Sequence, residues 1–153
     1  PPSQTACGSA CVDLTRDYRH CGSCGRACAP GQACKGGSCS CDGAAKVTFS
    51  GQIQPLLTGN CALSQCHNAS TRVASMNLAA GFAYKELLVD KSSQCKQPPR
   101  ARVVAGSPQD SYVLDKITGI DLCLGNEMPP PGALRWDQAR LITDWICAGA
   151  PND

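Results

Sequence analysis

The segment Cys61-Ala62-Leu63-Ser64-Gln65-Cys66-His67 concentrates the most reactive side chains of this chain. A cysteine thiol can add across a porphyrin vinyl group. A histidine directly after it then reaches the iron from the same side, which is the logic of C-x-x-C-H haem attachment. Here the spacing is C-x-x-x-x-C-H, and the longer loop still reaches both vinyl groups. The competing reading places Cys61 and Cys66 in disulfides and His67 on the surface. On this motif alone the two stand level.

A second segment, Asn126-Glu127-Met128-Pro129-Pro130, adds a thioether. Methionine opposite histidine completes a six-coordinate, low-spin iron and raises its potential. The prolines, with fixed φ and no N–H, can hold a loop beside a porphyrin without leaving buried donors unpaired. Met76 competes for the role, but it sits at the edge of a helical stretch, where methionine more often fills gaps. The expectation is one covalent haem c, with Cys61 and Cys66 as attachment residues and His67 and Met128 as iron ligands.

Other chemistries fit less well. Blue copper wants two histidines and a cysteine on a β-scaffold, and the other histidine, His20, lies in a different region. Zinc is not supported with only two histidines. No histidine is left to serve as a base, and no G-x-S-x-G is present. Asp90 and Asp115 read as solvated surface, and Asn68-Ala69-Ser70 as a coincidental glycosylation acceptor. The chain is therefore expected to be an electron carrier and not an enzyme, with a haem peroxidase-type activity, which needs an open iron position, as the alternative that stays open.

The elements that must position these residues fall into two regions. From Cys7 to Cys41 there are eight cysteines, separated mostly by Gly, Ser, Ala and single polar residues. Such a stretch buries too little apolar surface to offset its ordering entropy, so cross-links must hold it. Eight cysteines allow four internal disulfides in 105 pairings, and the sequence does not choose among them. Asp42–Lys46 reads as a linker. Beyond it, helical periodicity is expected over 48–58 (irregular or broken at Pro55), 78–89, Ser111–Ile117 with Ser111 as N-cap and Gly119 as its end, and 134–148. Pro98-Pro99 and Pro129-Pro130-Pro131 mark extended loops. Phe49, Phe82, Tyr84, Tyr112, Trp136 and Trp145 are the expected aromatic core. It is thin for its length, and loops this long usually wrap something.

Thirteen cysteines in 153 residues indicate an oxidising compartment. A net charge of +2 with 17% charged residues gives no case for nucleic acid. No apolar run reaches a spanning length. Pro1 to Ala6 is polar, so any export signal is expected to have been removed, and a lipid anchor upstream stays open.

The stretch CVDLTRDYRHCGSCGRACAPGQACKGGSCSC resembles the Stig1-like cysteine-rich repeats of exported myxobacterial proteins. This implies an envelope or extracellular setting without an established chemistry. The order of helix 48–58, Cys66-His67, Val103-Val104-Ala105-Gly106-Ser107-Pro108, Ser111-Tyr112, Met128-Pro129-Pro130 and Trp145-Ile146 resembles a monohaem, class I-type cytochrome c domain of myxobacterial and planctomycete envelope proteins. That resemblance covers roughly 47–153. It implies His67 and Met128 as ligands, thioethers to Cys66 and Cys61, and terminal helices packed together. The widened spacing departs from the family pattern and leaves one or two thioethers open. With two, three of Cys61, Cys66, Cys95, Cys123 and Cys147 remain. Cys95–Cys123 is the preferred disulfide, since each tethers a loop beside Met128, and Cys147 is the odd thiol, available to another chain.

The resulting expectation is a disulfide-rich module (1–43) followed by a mostly α, cytochrome c-like helical domain (47–153). It would transfer single electrons between redox partner proteins in the bacterial periplasm, on the cell surface or after secretion, alone or in a larger assembly. The alternative is a haem-free, disulfide-rich structural or adhesive envelope protein.

Overall fold

The structure, a computed structural model, describes residues 4–130 and 132–153. Pro1, Pro2, Ser3 and Pro131, the last closing the expected triple-proline run, lie outside the described residues. Near the N-terminus two hairpins form: β1 (Thr5–Cys7) with β2 (Ala10–Val12), and β3 (Ala33–Lys35) with β4 (Ser38–Ser40). Both are antiparallel, and Gly36-Gly37, each with positive φ, makes the second turn. Gly22 is required for a steric reason, because a Cβ there would sit 2.4 Å from the carbonyl oxygen of Gly37.

Disulfides take the place of a core in this region. Cys7–Cys24, Cys21–Cys34 and Cys28–Cys39 close within it, and Cys21, Cys28 and Cys34 are its buried centre. Eight cysteines allow four internal bridges, and three form. Cys41 crosses instead to Cys147, and Cys11 stays free and exposed.

The remainder is built on a π-helical turn (Phe49–Ile53) running into α1 (Gln54–Asn60), then α2 (Ala83–Leu88), β5 (Lys91–Lys96) paired antiparallel with β6 (Pro99–Ala101), α3 (Tyr112–Thr118) and α4 (Trp136–Cys147). Pro55 falls in the first turn of α1, where its missing N–H costs nothing, and the expected irregularity takes the form of the π-helical turn just before it. Gly119, at φ +71°, ends α3 as expected. Ser111 precedes α3, yet its hydroxyl turns inward, donating to the Ser107 carbonyl at 2.8 Å and accepting from the Val104 N–H.

The core gathers one face each of α1, α2, α3 and α4 around Trp145 and Ile146, both fully buried. Phe49, Tyr84 and Trp145 stack edge-on or tilted with centroids 5.2–6.4 Å apart. Trp145 Nε1 donates to the Pro151 carbonyl, and Tyr84 Oη to that of Ala150.

The expected mostly α, cytochrome c-like fold does not form. Among the described residues only 29% are helical, alongside three two-stranded antiparallel sheets and five disulfides. The physical reasons are local. Helices stop after one or two turns at Asn60, Leu88 and Gly119, and the Gln97-Pro98-Pro99 stretch closes a hairpin where an extended loop was expected. Phe82 and Trp136 also leave the expected core, at 52% and 60% exposed.

Candidate functional site

α1 delivers the chain into a tight knot. The N–H groups of Cys61 and Ala62 both donate to the Leu57 carbonyl at 2.8 Å, and His67 N–H returns to Cys61 O at 3.0 Å. Asn68 then holds an Asx turn: its Oδ1 accepts from the N–H groups of Ser70 and Thr71, and its Nδ2 donates to Leu63 O. The glycosylation acceptor sequence is thereby occupied with local bonding. Thr71 Oγ1 donates to Cys66 O at 2.7 Å, and the Leu78 N–H donates to His67 O at 2.6 Å. Backbone on both sides of His67 is thus pinned.

His67 and Cys61 face a largely apolar cavity of about 90 Å³. Its walls include Leu57, Leu78, Leu87, Ile117 and Ile142 from the core. Met128 and Met76 line the same cavity, so the two competing thioethers meet in one place. Cys66 does not line it, although its charge would raise the Cys61 pKa further. The structure therefore brings together Cys61, His67 and Met128 of the expected set, adds Met76, and leaves Cys66 just outside.

The histidine is oriented for ligation. Nδ1 lies 2.8 Å from the Val73 carbonyl, which selects the Nδ1–H tautomer and leaves the Nε2 lone pair free. Burial, with the nearby charges of Arg102 and Lys116, holds its pKa below the ordinary imidazole value and keeps it neutral. Burial pushes the Cys61 thiol up to about 11, so it is protonated in the absence of a cation.

Met128 is placed by α3. Its N–H donates to Lys116 O at 2.7 Å, while Lys116 Nζ donates to the carbonyls of Leu124 and Asn126. The Cys95–Cys123 disulfide, as expected, ties the same loop to β5.

Arg102 and the β5 residues Ser92, Ser93 and Gln94 are wall residues that sequence reasoning missed. Arg102 is buried; its Nη1 donates to the Glu86 carbonyl at 2.8 Å and to Glu86 Oε2 at 2.9 Å. The alternation of charge between Glu86 and Arg102 carried no periodic signal, and only the hairpin reveals the pairing.

Cys21, Cys28 and Cys39 also bring three sulfurs within 4.8 Å. All are disulfide-bonded, so this is a stack of bridges, not a metal site. Cys147, expected to be the odd thiol, is bonded to Cys41, and the unpaired cysteines are Cys11, Cys61 and Cys66. Among the described residues no helix is long and apolar enough to cross a membrane.

Residues 2–42 match the stigma-specific STIG1-like protein family. No curated protein and no solved structure matches the chain. The expected assignment to cytochromes and electron transport is corrected accordingly. The matched family does not indicate electron transport, and the fold beyond it is not the helical one that assignment required. The cysteine-rich match and the five disulfides are consistent with an extracellular or secreted setting.

Proposed function

We propose that this is a haem-free, non-enzymatic, disulfide-clamped structural or adhesive protein of the cell envelope or exterior. A Stig1-like module (1–43) is presented on a second unit (47–153). One observation carries the reading: Cys41–Cys147 bonds the end of the module to the last turn of α4, across 106 residues of sequence. A chain joined this way presents its module at a fixed orientation, as an adhesive or load-bearing surface requires. Packing supports it. A Cβ on Gly31 would meet Arg140 of α4 at 2.6 Å, and Gln32 Nε2 lies 3.6 Å and 3.9 Å from the sulfurs of Cys41 and Cys147. Peptide mapping without reduction tests it. A linked pair containing Cys41 and Cys147 is expected, whereas Cys147 recovered as a free thiol would overturn the clamp.

A further inference from the structure

Soft donors are scarce in this protein, and they are not scattered. The chain has two methionines and two histidines, and among the described residues three cysteines lie outside disulfides. Both methionines, one histidine and one of those thiols line a single apolar cavity. His67 presents Nε2 because Val73 O holds Nδ1. Cys66 does not line the cavity, though its charge acts on Cys61.

We propose that the haem-free chain binds one monovalent copper ion in this cavity, through the thioethers of Met76 and Met128, Nε2 of His67 and the Cys61 sulfur. The proposal rests on the haem-free reading in one respect, since Cys61 must carry no thioether. Three features select the ion. The two thioethers favour copper(I) over zinc and over oxygen-seeking cations, and the thiolate binds copper(I) as well. No carboxylate lines the cavity, while Arg102 and Lys116 do, which opposes a divalent charge. One thiolate with one copper(I) is neutral, so the complex can sit among Leu57, Leu78 and Ile142 without burying net charge. The step balances without redox: the copper–sulfur bond forms at Cys61 as its thiol proton passes to solvent, and the metal stays copper(I). His20 is not needed, which separates this site from a blue-copper set; its Nδ1 accepts from the Gly25 N–H in the other region.

The test uses the full chain, with its visible spectrum recorded first. Copper(I) held by bicinchoninate is then titrated anaerobically, and loss of the chelate absorbance is read. One equivalent should be withdrawn. Met76→Leu with Met128→Leu should weaken this at least ten-fold while leaving the disulfide map intact. His67→Gln should weaken it as well, and Cys11→Ser should not. A colourless protein that leaves the chelate untouched overturns the copper site alone, as does a double leucine variant that competes like the parent. Covalent tetrapyrrole seen before titration overturns both the haem-free reading and the copper site.

Discussion

At the scale of single residues, two ionisable groups pull stability in opposite directions with pH. His67 has its folded pKa lowered from 6.5 by burial, then by Arg102 and Lys116, the Val73 bond opposing. The unfolded chain therefore takes up that proton first, and the stability His67 contributes is lost as pH falls below about 6.5. Asp115 behaves inversely. Burial raises its pKa from 3.8 to about 6, outweighing the attraction of Arg100, whose guanidinium contacts Asp115 Oδ2. The folded state holds that proton more tightly, so its contribution is complete below about pH 4 and disappears as pH rises through about 6. Urea unfolding at about pH 4 and about pH 7 should show Asp115→Asn removing a loss of about 1–2 kcal/mol that the parent suffers over this range. An unchanged pH slope in the variant contradicts the burial of Asp115. Asp115 had read as solvated surface, and nothing local marks it otherwise: Arg100, which covers it, comes from β6.

At the scale of elements, the Glu86–Arg102 pair fastens α2 to the segment after β6. Both side chains are buried, so Glu86→Ala leaves the Arg102 guanidinium with the residue-86 carbonyl and the Asp90 carboxylate, 3.7 Å away, as its remaining partners. A loss of about 2–3 kcal/mol is expected in chemical denaturation, and a loss below about 1 kcal/mol would mean that Arg102 escapes to solvent. Legibility divides along the same line. The α3 helix with its Gly119 stop and the α4 helix were readable because their signals are local: a stop glycine and an apolar stripe of period 3.6. The cavity residues Cys61, His67 and Met128 were readable from their chemistry, and Cys95–Cys123 from the need to tether the Met128 loop. The β5–β6 hairpin was not legible. Its strand sequence, Lys-Ser-Ser-Gln-Cys-Lys, lacks apolar alternation, and it forms because Gln97-Pro98-Pro99 turns the chain. Cytochrome-like helix lengths failed for a related reason, since periodicity identifies an apolar face without limiting how many turns form.

At the scale of the whole molecule, the Cys41–Cys147 bridge closes the longest loop in the chain. Cys147→Ser should lower stability by about 2–4 kcal/mol, and more than loss of Cys7–Cys24, which spans 17 residues. Hydrogen exchange should then quicken in residues around Gly31 and Gln32, which pack against Arg140 and the bridge. Gly31→Val should loosen the same contact with the disulfide still present, because its Cβ would overlap Arg140 and its φ of +90° suits only glycine. Unchanged exchange in both variants contradicts docking of the module on α4. This contact, like the bridge, was hidden from sequence reading, because eight cysteines in one segment suggested a closed set. An even count does not reveal a partner 106 positions away.

The most direct test of the account is the intact mass of the purified, unreduced protein after alkylation under denaturing conditions. Three alkyl groups, on Cys11, Cys61 and Cys66, with ten cysteines protected and no added tetrapyrrole, is the predicted result. A tetrapyrrole adduct on the peptide spanning 61–67 would contradict it.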